Sequence, residues 1–147
     1  MILQKNTANR LGIFVFYDKD GIADEYNFYF IEELKKQVSR LLVICNGDVE
    51  EEAGKRFSGI ADEVMMRGNE GFDITAYHLG LKKYGYNRDG KFDEVIICNS
   101  TMFGPVYPFQ EMFEKMAVRD LDFWGITNFH EVPFDPFGTV KYGMLPK

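Results

Sequence analysis

The sequence predicts an α/β domain built as a three-layer, Rossmann-like, mostly parallel sheet with helices on both faces. Three observations predict it. Short apolar runs alternate along the chain with longer stretches of helical periodicity. The first of these runs, LGIFVFY at 11–17, is apolar throughout instead of alternating, as in a strand covered on both faces. Strand-helix-strand order, repeated, implies parallel pairing through right-handed crossovers.

The first strand is residues 11–17 (LGIFVFY), ended by the turn-forming Asp18, Lys19, Asp20 and Gly21. Residues 26–40 follow as an amphipathic helix, with Phe30, Ile31, Leu34 and Val38 at helical spacing and Glu32, Glu33, Lys35 and Lys36 outward. Residues 41–45 (LLVIC) form a second buried strand, stopped by Asn46 and Gly47, and residues 49–57 a short acidic helix. A third strand is read at 63–67 (EVMMR), a helix at 73–84 with Ile74, Tyr77, Leu81 and Tyr84 inward, and a fourth strand at 94–98 (EVIIC) after the Asp89–Gly90 turn. Residues 108–118 form a helix with proline in its first turn, where a missing N–H costs little. Its Phe109, Met112, Phe113 and Met116 make a core or interface stripe. Residues 122–127 (DFWGIT) are expected as a fifth extended segment with Trp124 in the core. Pro133, Pro136, Gly138 and Pro146 leave 128–147 as an irregular tail or lid, and residues 1–10 are a polar lead-in.

At 147 residues and 46% hydrophobic, the chain suits one globular domain able to bury a core without staples. Its net charge of −6 excludes a general nucleic-acid-coating role, which needs an excess of Lys and Arg. The two cysteines, Cys45 and Cys98, satisfy neither a disulfide framework nor a zinc site. No stretch approaches the roughly 20 apolar residues of a membrane span, and no secretory leader is read. The expected location is cytoplasmic, or peripheral at the inner face of a membrane.

Ligands of such sheets bind at the carboxyl ends of the strands, so the segments after each strand carry the candidates. The loop from Arg67 through Asn69 and Gly71 to Asp73 joins a strand to a helix. Its glycines let backbone approach a ligand, the helix start offers N–H groups, and Arg67 can pair with phosphate. The ordinary role of Asp73 there is to cap the helix. Asn99, Ser100 and Thr101 can bind ribose or diphosphate, or complete a metal's shell; alternatively they cap their own turn. Tyr17 is placed to face a base and Asp18 its polar edge, against the alternative of a solvated turn. His78 and His130 lack partners at zinc-ligand spacing. The dinucleotide motif GxGxxG and the phosphate-loop motif GxxxxGK[ST] are both missing.

Four stretches together resemble the rhamnan synthesis protein F family: 11–18 (LGIFVFYD), 67–81 (RGNEGFDITAYHLGL), 94–113 (EVIICNSTMFGPVYPFQEMF) and 120–127 (DLDFWGIT). The joint signature, N-x-G-F-D then N-x-[ST]-x-F-G-P then D-F-W-G-x-T, is more specific than any one piece. The resemblance implies a GT-A-like fold whose first half binds a nucleotide. It implies a glycosyltransferase, or glycosyltransferase-like protein, of bacterial cell-wall and surface polysaccharide assembly, passing rhamnose from dTDP-rhamnose to a lipid-linked or polysaccharide acceptor. Asn69, Gly71 and Asp73 would then face nucleotide or sugar. Asn99, Ser100 and Thr101 would stand where GT-A enzymes hold Mg²⁺ or Mn²⁺ with an acidic motif. Family members commonly read Asn-Asp-Ser there, whereas Ser100 removes the carboxylate that a hard cation wants. GT-A transferases continue into an acceptor half, so 128–147 are expected to begin one and the chain to be part of a longer protein.

Three functions compete. The first is the donor-binding portion of a glycosyltransferase, covering residues 11–127. The second is a non-catalytic, transferase-like module that binds glycan or a partner protein. The third, a phosphoacceptor receiver domain, lacks the aspartate it needs at the end of the third strand, where Arg67 and Gly68 stand.

Overall fold

The four apolar runs pair into one sheet. The computed structural model describes residues 8–127. In it β1 (Arg10–Tyr17), β2 (Arg40–Asn46), β3 (Glu63–Arg67) and β4 (Glu94–Asn99) lie in the order β3-β2-β1-β4, every neighbouring pair parallel. Helices α1 (Glu25–Lys35), α2 (Glu51–Ile60), α3 (Phe72–Lys83) and α4 (Phe109–Ala117) complete the α/β architecture, with a short 3-10 turn at Gly85–Asn87. The chain steps from β1 outward to β3, then crosses to the far side of β1 to make β4, so strand order reverses between β1 and β4.

Buried alternation assigns the faces. Leu11, Ile13 and Val15 of β1, with Leu42 and Ile44 of β2, pack toward Ala76 of α3. Phe14 and Phe16, with Val43 and Cys45, pack toward α1, α2 and α4. Phe57 of α2 anchors the second face, with the rings of Phe16 and Phe28 at 5.1 and 5.0 Å. Burying each such side chain contributes roughly 1.5–3 kcal/mol, so β1 and β2, apolar on both faces, hold the sheet together. α3 lies close against its face because Gly80 meets the sheet there: a Cβ at that position would stand 3.0 Å from Ile13 Cγ2.

Several expectations change. Ile74 is 77% exposed, and the inward residues of α3 are Ala76 and Gly80, with Tyr77, Leu81 and Tyr84 partly buried beside them. The first helix ends at Lys35, and Val38 packs on the core from beyond it. Residues 122–127 add no strand and Phe123 is 89% exposed, while Trp124 does pack on the core, its ring 5.5 Å from that of Phe113, and donates its indole N–H to Glu94 Oε1 at 2.7 Å. The expectations for His130, for the tail 128–147 and for most of the polar lead-in lie outside the described residues. No helix among the described residues is long and apolar enough to cross a membrane.

Candidate functional site

The reversal of strand order between β1 and β4 makes the carboxyl end of the sheet the place for a ligand cleft. Tyr17 stands opposite Asn46, and Asn46 opposite Arg67, in one cross-strand row; Asn99 lies two residues back, opposite Val15. With Leu11, Ile13, Val15, Leu42 and Ile44 facing α3, the period-two alternation puts Tyr17, Asn46, Arg67 and Asn99 on that same face. The row therefore meets the amino end of α3.

Arg67 is held from two sides. Its Nη1 donates to Asn46 Oδ1 at 2.6 Å and its Nη2 to the backbone carbonyl of Glu70, with the Glu70 carboxylate 3.8 Å away. Its side chain is only 11% exposed, so the guanidinium is oriented. Asn46 is fully buried, and its Nδ2 has no partner among the described residues. A buried amide donor left unpaired is costly, which marks a group made for something not yet in contact with it.

The connection to α3 is strained. Asn69 contributes its carbonyl to the turn, accepting the Phe72 N–H at 3.2 Å. Gly71 (φ +70°) and Phe72 (φ +54°) are both left-handed, and Phe72 is 71% exposed. Glycine adopts that region freely, but a phenylalanine there costs about 1–2 kcal/mol, the kind of local strain that collects at ligand-facing turns. Gly71, not Asp73, is the N-cap residue, and no side chain caps the helix. With the Phe72 N–H on Asn69 and the Thr75 N–H on the Gly71 carbonyl, the Asp73 and Ile74 N–H groups are the first-turn donors that no side chain among the described residues caps.

Asp73 is instead drawn to β4. Its Oδ2 accepts from Asn99 Nδ2 at 2.7 Å, and Asn99 Oδ1 accepts from Thr101 Oγ at 2.7 Å. The Asp73 charge is also felt by Tyr77, whose phenol is pushed well above its ordinary range by burial first and by Asp73 second. Arg67–Asn46 and Asp73–Asn99–Thr101 thus form two polar groups at the amino end of α3.

Two expected residues do other work. Ser100 is buried; its Oγ accepts the Tyr17 N–H at 3.3 Å and donates to the Tyr17 carbonyl at 3.4 Å, locking the ends of β1 and β4 together. Its own carbonyl accepts from Tyr26 Oη at 3.0 Å, and the Tyr26 ring stacks on Phe103 at 4.2 Å. Asp18 Oδ1 accepts the N–H groups of Asp20 and Ile22 at 2.9 and 3.1 Å, shaping its own turn. Tyr17, 45% exposed, lies beside Gly47 at the rim. Asn46 lies in a strand-end segment where a ligand is expected, but its sequence context assigns it no role beyond ending the strand. Its signal was a polar side chain ending a run of five buried apolar residues.

The donor set does not suit a divalent cation. Asp73 is the one carboxylate in the Asp73–Asn99–Thr101 group, and its Oδ2 already accepts from Asn99. No group of three His, Cys, Asp or Glu able to hold a metal occurs among the described residues. Hard cations take several oxygens, usually including more than one carboxylate.

An apolar cleft of about 600 Å³ opens elsewhere, between α4 and the loop after β4, lined by Phe30, Met102, Phe103, Pro105, Phe109 and Met112. Phe103, Val106 and Tyr107 stand 78%, 87% and 74% exposed around it.

The family model described as rhamnan synthesis protein F matches residues 41–144. The match runs from β2 onward and takes in Asn46, Arg67, Asp73 and Asn99, while Tyr17 and Asp18 precede it. The chain belongs to that family. No curated protein and no solved structure matches it.

Proposed function

We propose that this member of the rhamnan synthesis protein F family supplies the donor-binding portion of a glycosyltransferase of bacterial cell-wall or surface polysaccharide synthesis. The polar groups at the carboxyl end of the sheet, beside the start of α3, would hold a nucleotide sugar, with dTDP-rhamnose the first candidate, and a lipid-linked or polysaccharide acceptor would receive the sugar at the cytoplasmic face of the membrane. The observation that carries this reading is the convergence of an oriented guanidinium, a buried unpaired amide and an uncapped helix start at the switch point of a parallel sheet.

In this reading Arg67 offsets the diphosphate, Tyr17 faces the base, and Asp73 with Asn99 and Thr101 orients ribose and sugar hydroxyls. Asn69 and Gly71 shape the loop that approaches the ligand. Asp18 and Ser100 act at one remove, by shaping the turn and strand end that carry Tyr17. Transfer would draw on electrostatic stabilisation of the leaving diphosphate by donors already in place. Isothermal titration with dTDP, UDP and GDP sugars tests the reading. Binding of at least one is expected, and no heat with any of them overturns it.

The exposed aromatic rim of the apolar cleft beside α4 favours a second reading, a non-catalytic module that binds a glycan or a partner protein there. Under that reading Phe103→Ala abolishes capture of purified polysaccharide or of a co-purified partner, and nucleotide sugars give no signal.

A further inference from the structure

We propose that the ligand's diphosphate charge is met by Arg67, held in place by Asn46, instead of by a divalent cation, and that Glu70 occupies Arg67 until the ligand arrives. The inference rests on the donor-site reading above and specifies how that site handles charge.

Three observations carry it. The residues at the place where a cation would be expected offer it too little. Asp73 is turned to Asn99, Ser100 spends its hydroxyl on the Tyr17 backbone, and Thr101 donates to Asn99. The positive charge that the site does own is prepared for use. Arg67 is 11% exposed and fixed through Nη1 and Nη2, and a guanidinium carries five N–H donors, so three remain for a ligand. Beside it, Asn46 Nδ2 is buried with no partner among the described residues, and the Asp73 and Ile74 N–H groups of α3 have no side-chain cap there. Donor groups of this kind, fixed before binding, suit anionic oxygens.

Two carboxylates share the site. Asp73 is engaged by Asn99, whereas Glu70 is 87% exposed with an oxygen 3.8 Å from Arg67 Nη2. A single loose contact at that distance is worth little, so the Glu70 side chain can swing into water when phosphate oxygens compete for the same guanidinium. Its charge nevertheless opposes an incoming anion, and removing that charge strengthens binding.

The experiment measures dTDP affinity by calorimetry for the parent protein in EDTA and again in Mg²⁺, and for Glu70→Gln and Arg67→Lys in EDTA. Circular dichroism and urea unfolding establish that each variant is folded. The expected result is an affinity in Mg²⁺ within a factor of about two of that in EDTA, a gain of about two- to fivefold for Glu70→Gln, and a loss of roughly tenfold or more for Arg67→Lys, which keeps the charge but loses the fork. An affinity that rises tenfold or more with Mg²⁺ overturns the inference and leaves the donor site standing. Unchanged binding by Glu70→Gln, at a residue too exposed to disturb folding, overturns the role given to Glu70. No dTDP binding under any condition removes the donor-site reading, and this inference with it.

Discussion

Removing the Glu94 carboxylate strands a buried guanidinium. Arg10 and Glu94 are cross-strand neighbours at the start of β1 and β4, and Arg10 Nε donates to Glu94 Oε2 at 2.6 Å. Their side chains are 5% and 16% exposed. The guanidinium also lies 4.7 Å from the Phe113 ring centroid of α4, and Glu94 Oε1 takes the Trp124 indole N–H. One carboxylate therefore joins two strands, a helix and the segment after it. An exposed pair would be worth about 0.2–1 kcal/mol, but breaking a buried pair by deleting one partner costs about 3–5 kcal/mol. Against a total stability of about 5–15 kcal/mol, Glu94→Ala is expected to lower the midpoint temperature by roughly 10 °C. The double variant Arg10→Met/Glu94→Leu, which removes both charges, is expected to lose less than the single one. Urea unfolding followed by circular dichroism and by the fluorescence of Trp124, the chain's single tryptophan, measures both effects. A loss below about 1 kcal/mol in Glu94→Ala, or an equal loss in the double variant, would refute the reasoning.

The other predictions concern Asp62, the thiols and Gly71. Asp62 Oδ2 accepts the Leu41 N–H at 2.6 Å and the Lys35 ammonium. Burial pushes its pKa up, but those donors outweigh burial and hold it below the usual value. A pKa lower when folded than when unfolded stabilises above pH about 4, and that stability is lost as pH falls through the folded value. The stability gap between parent and Asp62→Ala, about 1–3 kcal/mol at neutral pH, should shrink below pH 4; a gap flat with pH counts against this. Burial pushes Cys45 and Cys98 up to about 12, so Ellman's reagent at pH 8 should label both only after denaturation. Rapid labelling of the native protein contradicts their placement. Gly71→Ala puts a Cβ at φ +70° and 2.0 Å from Thr75 Oγ, which must rotate away. A loss of about 1–2 kcal/mol in urea unfolding is expected, and no loss would argue against the left-handed turn.

Elements with a strong hydrophobic signal were legible: β3 runs over the same residues the sequence indicated, β1 begins one residue earlier, and β2 extends one residue further at each end. The errors have physical causes. On α3 helical spacing points Ile74 inward, yet the helix sits so close to the sheet at Gly80 that small residues face it, and Ala76 and Gly80 carry little hydrophobic signal. In 122–127, Phe123 and Trp124 look like a strand, but the indole N–H is taken by Glu94, an interaction 30 residues distant that local pattern does not contain. At the site, residue types were legible and their commitments were not. Asp18 and Ser100 have the right chemistry but spend it on nearby backbone, whereas Asn46, read as a strand stop, keeps an unspent donor.

Ser100 shows why its departure from the expected acidic residue is built into the fold. A hydroxyl can accept the Tyr17 N–H and donate to the Tyr17 carbonyl at once, as Ser100 does at 3.3 and 3.4 Å in a position 7% exposed. A carboxylate can only accept. Ser100→Asp would satisfy the N–H, set a negative charge against the carbonyl, and lose hydration with no cation at hand. The expected cost is about 1–3 kcal/mol or more, read by urea unfolding, with no Mn²⁺ affinity gained in a calorimetric titration. If Ser100→Asp instead unfolds like the parent and binds Mn²⁺, the strand end is looser than these hydrogen bonds imply. An acidic residue could then be accommodated at the end of β4, and the claim that the fold itself requires a hydroxyl at position 100 would have to be given up.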